Sequence, residues 1–308
     1  MSRLEDMMRR QLEQAERASA GAREAQRVER ARALAARFPA FVPRSAGHAE
    51  TKFDLTVHSI NETPNRLRDL ARRFARRPPV ECDVTDFTDT PAKVAAAERL
   101  KSLLDGFGSD KARAHNYHHL YGAVLAETDR IGRVVEIGLG TNNMDVVSHM
   151  GASGRPGASL RAFRKFLPHA EIVGADIDRR ILFQEDRIAT VFVDQTEPAS
   201  FDALDAAIKG GCDLFIDDGL HAPAPNLTVL LFALDRLAPG GWLAIEDVAP
   251  EARPIWETAA SLLPPDYATY IVTTAGRALM IAVQAPTIDM VPLLNTMRDN
   301  VNSDGACI

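Results

Sequence analysis

From residue 130 onward the chain repeats one pattern: a short apolar run that ends on polar residues, followed by a stretch with helical spacing. The runs are "RVVEIG", "EIVGAD", "ATVFVD", "CDLFID", "GWLAIED", "YATYIV" and "ALMIAV", and the intervening stretches include "GASLRAFRKFL" and "NLTVLLFALDRLA". Near-continuous apolar runs mark strands covered on both faces, which in practice means parallel strands with helices above and below. The pattern predicts a seven-stranded, doubly wound α/β sheet. Only "TTAG" separates the last two runs, too short for a helical crossover, so they are expected to form an antiparallel hairpin at one side of the sheet.

The first hundred residues read differently. Residues 3–38 have good helix formers and a thin, mostly alanine stripe, until Pro39 and Pro43 stop the helix. Such a helix either docks on a second copy or partner, or stands exposed. "TPNRLRDLARRFARRPP" is a second helix with Leu67, Leu70, Ala71 and Phe74 on one face and six arginines elsewhere. That basic face is either solvated or a contact for an anionic partner. A third helix runs from about Pro91 to Leu104. Residues 1–107 are therefore assigned to a helical auxiliary or oligomerisation region and 108–308 to the α/β domain.

Composition sets limits on function. With 308 residues, 46% hydrophobic, one large domain plus an appendage is affordable. A formal net charge of −6 gives no global field for a nucleic-acid backbone. Cys82, Cys212 and Cys307 are odd in number and contain no C-x-x-C, which suits a reducing compartment rather than a disulfide framework or zinc site. His118 and His119 in "AHNYHHLY" are adjacent and point apart on a helix, a poor arrangement for one ion. The charged N-terminus has no apolar block, and no apolar run reaches the roughly 18 residues of a membrane span. A cytoplasmic protein is expected.

In an open α/β sheet, ligands bind outside the carboxyl ends of the strands. Five successive runs end on acids there: Glu136, Asp176, Asp194, Asp217-Asp218 and Glu246-Asp247. Any one could cap a helix; five together point to a site. The glycines of "EIGLGT", Gly138 and Gly140, are followed by Asn143 where a dinucleotide fingerprint needs a third glycine. Asp176 comes 36 positions after Gly140 rather than about 20. A nicotinamide cofactor fits badly, whereas an adenosine without a pyrophosphate fits: Asp176 would accept the ribose hydroxyls, and Asp194 or Gln195 would meet the adenine edge.

"VVEIGLGT" resembles the first motif of class I S-adenosylmethionine-dependent methyltransferases. "PGASLRAFRKFLPHAEIVGADID", "DRIATVFVDQTEPASF", "LFIDDGLH" and "PGGWLAIEDV" further resemble the metal-dependent sugar O-methyltransferases of macrolide tailoring and glycan assembly, over roughly residues 108–248. The resemblance implies S-adenosylmethionine bound by Glu136, Gly138, Gly140, Thr141, Ser159, Arg161, Asp176, Asp194, Gln195 and Asp217, with Asp217 alternatively bracing a loop. It implies Mg²⁺ on Asp218, Glu246 and Asp247, His221 as general base beside Asp218, and Lys111, Tyr117 and Tyr121 at the lip. The expected acceptor is a sugar or glycoside hydroxyl, and the expected assembly is a homo-oligomer built through the N-terminal helices. Three readings compete: a catechol-type O-methyltransferase, a non-catalytic cofactor-binding partner protein, and a bland one. In the last, Asp217 and Asp218 cap the helix near Pro223, Glu246 and Asp247 cap the one near Pro254, and His221 is a hydrogen-bonded loop residue.

Overall fold

The alternation beyond residue 130 builds a mixed sheet, seen in a computed structural model that describes residues 22–23, 25–43, 48–74, 77–276 and 278–287. The strands are β1 (Val80–Asp83), β2 (Arg133–Ile137), β3 (Glu171–Asp176), β4 (Gln184–Glu185), β5 (Ile188–Phe192), β6 (Cys212–Asp217), β7 (Leu237–Val248), β8 (Ala268–Thr273) and β9 (Leu279–Gln284). They lie in the order β1-β8-β9-β7-β6-β2-β3-β5-β4. The sheet has nine strands, not the expected seven. β1 pairs parallel with β8 and β4 antiparallel with β5. Both additions are too short and too solvent-exposed to carry a buried-strand pattern. β8 and β9 pair antiparallel, and β9 also runs antiparallel to β7.

The chain divides into two compact units, between Arg73 and Phe74. In the first, residues 25–37 form α1, a 3₁₀ turn follows over Pro39–Phe41, and α2 spans Ala49–Phe74. Residues 3–21 of the expected first helix lie outside the described residues. The second helix begins at Ala49, well before "TPNRLRD", and carries Pro64 in its interior, where one i→i−4 hydrogen bond is lost. The unit boundary also falls below 107/108, because β1 and α3 (Pro91–Phe107) belong with the sheet.

Helices cover both faces of that sheet. α3, α4 (His118–Val124) and α5 (Ala158–Phe166) share one cluster with Val134, Ile172, Leu214 and Ile216, in which Leu100, Leu104, Tyr121 and Phe163 are fully buried. α6 (Asp202–Ala207), α7 (Pro223–Leu234) and α8 (Arg253–Leu262) supply the other, with Val135, Ile137, Phe215, Val229 and Trp256. Val134 and Val135 enter opposite clusters because successive side chains of a strand point to opposite faces. Burying both faces stabilises the parallel strands and leaves their carboxyl ends as the free edge.

β2 pairs with β6 on one side and β3 on the other, so the strand order reverses beside β2. Two loops meet there at close range. Asp218 N donates to Ile137 O at 2.8 Å, Gly138 N donates to Ala175 O at 2.8 Å, and Gly138 adopts φ 95°. A Cβ at Gly138 would lie 2.0 Å from Asp218 O, so only glycine allows the strand ends to approach this closely. No helix among the described residues is long and apolar enough to cross a membrane.

Candidate active site

A cavity of about 510 Å³ opens along the carboxyl ends of β5, β3, β2, β6 and β7, within the range of small-molecule sites. In sheet order its walls present Asp194, Asp176, Gly138, Asp218, then Glu246 and Asp247. Gly140, Thr141 and Gln195 also line it, so six of the expected cofactor residues are brought together.

The β3 side is saturated with protein hydrogen bonds. Asp176 accepts from Leu139 N at 2.7 Å and Asp178 N at 2.8 Å. Burial pushes its carboxyl up, against the pull of those amides. Asp178, two residues on, accepts from Thr141 Oγ1 at 2.6 Å, Asn143 Nδ2 at 2.7 Å and Arg180 Nε at 2.7 Å. Hydrogen bonding from Arg180 holds the Asp178 carboxyl far below the usual range. Arg180 also grips Asp145 with both terminal nitrogens, at 3.0 and 3.1 Å. The loop after β2 is thus tied to the end of β3. Asp194 turns Oδ1 back onto Thr196 N and Oγ1, leaving a polar rim where the cavity meets β5.

Four expected cofactor residues do not reach the cavity. Asp217 is fully buried and accepts from Gln195 Nε2 at 2.7 Å and Asn226 Nδ2 at 2.8 Å, while Gln195 Oε1 accepts from Leu220 N at 2.7 Å. Asp217 therefore braces the loop, and Gln195 has part of its amide committed to it. Ser159 donates to Glu136 Oε2 at 2.7 Å, and both lie beneath the strand ends. Arg161 binds Glu185 and Pro156 O and stacks over Phe183, away from the cavity.

The β6–β7 side is the reverse: carboxylates in excess of cations. Lys111, 2% exposed, donates to Asp218 Oδ2 at 2.5 Å and Glu246 Oε2 at 2.7 Å, and meets Glu136 Oε1 at 3.1 Å as an ion pair. Tyr121 donates to Glu246 Oε1, and Tyr117 to Asp247 Oδ1 at 2.7 Å. Lys111, Tyr117 and Tyr121 are therefore not a lip; they are buried behind the acids. Burial and the neighbouring Asp218 charge push the Glu246 carboxyl well up. Burial alone would depress the Lys111 ammonium, but Asp218, Glu246 and Glu136 together hold it well above its usual value.

Toward the cavity, two carboxylate oxygens receive no hydrogen bond from the described residues: Asp218 Oδ1 and Asp247 Oδ2. His221 Nε2 stands 3.9 Å from the first and 4.0 Å from the second. Asp218, His221 and Asp247 each offer an atom within 4.8 Å of the others, so a single ion could touch all three. Glu246 is outside that group, because Lys111 and Tyr121 hold its carboxylate. Hard oxygen donors with room for further ligands suit Mg²⁺. The bland reading fails on geometry. Neither α7 nor α8 has a side-chain cap at its N-terminus. His221 has a left-handed backbone, φ 52°, and a buried Nδ1 with no hydrogen-bond partner among the described residues. Asp247 is also left-handed, φ 52°, and backbone strain at non-glycine residues concentrates at functional sites.

His115, one of the rings crowded with Lys111, Tyr117 and Tyr121 in sequence and expected to pack with some polar tips facing a cleft, lines the cavity, stacks on Tyr117 and lies 3.4 Å from Asp247 Oδ1. Asp178 and Arg180 were missed. The only available signal was crowding: "DKARAHNY" and "DIDRR" gather charged and ring side chains beside strand ends.

Residues 135–248 match the family model described as a methyltransferase domain. The 8-demethyl-8-alpha-L-rhamnosyl tetracenomycin-C 2'-O-methyltransferase of Streptomyces olivaceus is 34% identical over 56% of this chain and 47% of its own. The mycinamicin VI 2''-O-methyltransferase of Micromonospora griseorubida is 36% identical over 30% of this chain and 23% of its own. The chain thus spans less than half the length of the curated relatives it matches. The MycE methyltransferase solved with Mg, SAH and mycinamycin VI aligns over 62% of this chain and 56% of that one, at 21% identity and a TM-score of 0.48. Residues 135–248, which run across β2 to β7 and hold the acids at the strand ends, thus carry a methyltransferase domain.

Proposed function

We propose that the protein transfers the methyl group of S-adenosylmethionine to a hydroxyl of a sugar or glycosylated small molecule. One observation carries this reading: Asp218, Asp247 and His221 converge in the same cavity that presents Asp176 and Asp194 to an adenosine. The names of the curated relatives, which methylate sugar hydroxyls of natural products, support the acceptor class.

In this reading the ribose lies against Asp176, and the narrow Gly138–Asp218 seam lets the methionine end approach the acceptor. Asp218 and Asp247 would hold Mg²⁺, with Glu246 as the acid behind them. The ion, when bound, makes a chelated hydroxyl more acidic and fixes its orientation. His221 Nε2, which stands about 4 Å from both carboxylates, takes the hydroxyl proton. The oxygen forms its bond to the methyl carbon as the carbon–sulfur bond breaks, leaving neutral S-adenosylhomocysteine. The proton leaves from His221 to solvent.

The test is transfer of labelled methyl to a panel of glycosides and catechols, with Mg²⁺ and with chelator. Magnesium-dependent labelling of a glycoside is expected. Labelling of catechols alone overturns the acceptor class, and full activity under chelation overturns the metal role. We also propose that the helical unit ending at Arg73 mediates self-association. Leu55, Leu67 and Leu70 on α2 are about half exposed and support it, and a monomer in sedimentation would refute it.

A further inference from the structure

Lys111 reaches the acids from a segment 107 residues earlier in sequence than Asp218 and 135 earlier than Glu246. Its backbone is pinned: Lys111 O accepts from Tyr117 N at 2.9 Å, and Asn116 between them takes a left-handed turn, φ 59°. The ammonium is sealed from solvent, so it cannot exchange its partners for water as a surface lysine does.

The charge count around it does not close. Glu136, Asp218 and Glu246 bring three buried or half-buried carboxylates to one ammonium, and the hydroxyls of Ser159 and Tyr121 add hydrogen bonds but no positive charge. Asp218 is shared, with Oδ2 committed to Lys111 and Oδ1 facing the cavity. A divalent cation on the cavity side would add positive charge where three acids share one ammonium.

We propose that Lys111 is a resident counter-cation of the acceptor site. As a positioning residue it holds Glu136, Asp218 and Glu246 together before a metal arrives, and it limits how tightly the metal then binds. This rests on the metal reading above. Two charges with one sharing a carboxylate repel, so removing the ammonium exposes the carboxylates' full attraction for a second cation. The site trades metal affinity for an acid cluster that assembles without metal.

The experiment compares full-length wild type, Lys111→Met and the double variant Lys111→Met/Glu136→Gln, each stripped of metal. Melting is followed with and without MgCl₂, and Mg²⁺ affinity is measured by calorimetry. Lys111→Met is expected to melt lower without metal, to regain stability with Mg²⁺, and to bind Mg²⁺ about tenfold more tightly. The double variant, which removes one charge of each sign, is expected to return toward wild type in both respects. If Lys111→Met does not fold metal-free, it is expected to refold when Mg²⁺ is present. Failure in both conditions, with the double variant equally unfolded, overturns the proposal in favour of a packing role. Mg²⁺ binding that Lys111→Met leaves unchanged overturns it alone. No Mg²⁺ binding to any of the three proteins overturns the metal reading of the function and this inference with it.

Discussion

The two ends of the cavity hold similar numbers of acids and treat them in opposite ways. On the β3 side, Asp176 and Asp178 are met by three backbone amides, a hydroxyl, an amide side chain and a guanidinium. On the β6–β7 side, Asp218 Oδ1 and Asp247 Oδ2 accept no hydrogen bond from the described residues and have the His221 imidazole about 4 Å away. The first end is finished by the protein itself. In the proposed reading the second is completed by a cation and an acceptor, as expected where charge must rearrange during a reaction. A fully satisfied carboxylate positions a ligand; an under-satisfied one does chemistry on it.

Four substitutions or conditions would break or sharpen that contrast. The largest effect is expected from His221→Ala, which should lower kcat by roughly 10²–10⁴-fold while leaving S-adenosylmethionine affinity unchanged in calorimetry. Equal losses in both would place His221 on the cofactor side. Asp176→Ala should do the opposite, weakening cofactor binding by about ten- to a hundredfold through lost charged hydrogen bonds. Retained cofactor affinity in that variant would remove the ribose assignment. Gly138→Ala tests the seam between the two ends: a left-handed backbone costs about 1–3 kcal/mol, and the clash with Asp218 O adds to it. A melting temperature equal to wild type would show that the seam opens freely.

The smallest effect lies outside the cavity and serves as its control. Burial, followed by the neighbouring His119, pushes the His118 imidazole down from 6.5 to about 4, with Lys101 acting in the same direction and Glu98 and Asp105 opposing it. In that window the unfolded chain binds the proton and the folded chain does not. Stability from His118 is thus fully present above about pH 6.5 and lost as pH falls toward 4. Denaturant midpoints for His118→Gln should fall less steeply with acid than wild type, with turnover at neutral pH retained. An unchanged slope would assign the acid sensitivity to other groups.

Much of the architecture was readable because buried parallel strands write their pattern plainly. "EIVGAD" and "CDLFID" each match a strand end to end, and "RVVEIG" overruns its strand by the one glycine. β1 and β4 were not, since "VECD" and "QE" have neither length nor an apolar face. α2 was recognised only in its second half, where leucines recur at helical spacing; "ETKFDLTVHSINE" before it reads as polar. Residues at strand ends were legible through position, which is why Asp176, Asp218 and Asp247, expected there, are among those that line the cavity. Residues whose role depends on a distant partner were not. Nothing around Lys111 in sequence signals that it is buried against Glu136, and nothing around Arg161 signals that Glu185 and Phe183 draw it away.

The nine-strand order bears on how the molecule can be cut. The family match spans β2 to β7, but the wall behind Asp218 and Glu246 is made by residues 111–121, and the strand beside β7 is β9. A fragment trimmed to residues 135–248 would keep every acid on the strand ends while discarding the ammonium and phenols that accompany them and baring one edge of β7. The acid cluster would then be a patch of mutual repulsion rather than a site. A piece that keeps this cluster whole begins upstream of Lys111, so the segment behind the acids and the sheet must be inherited together.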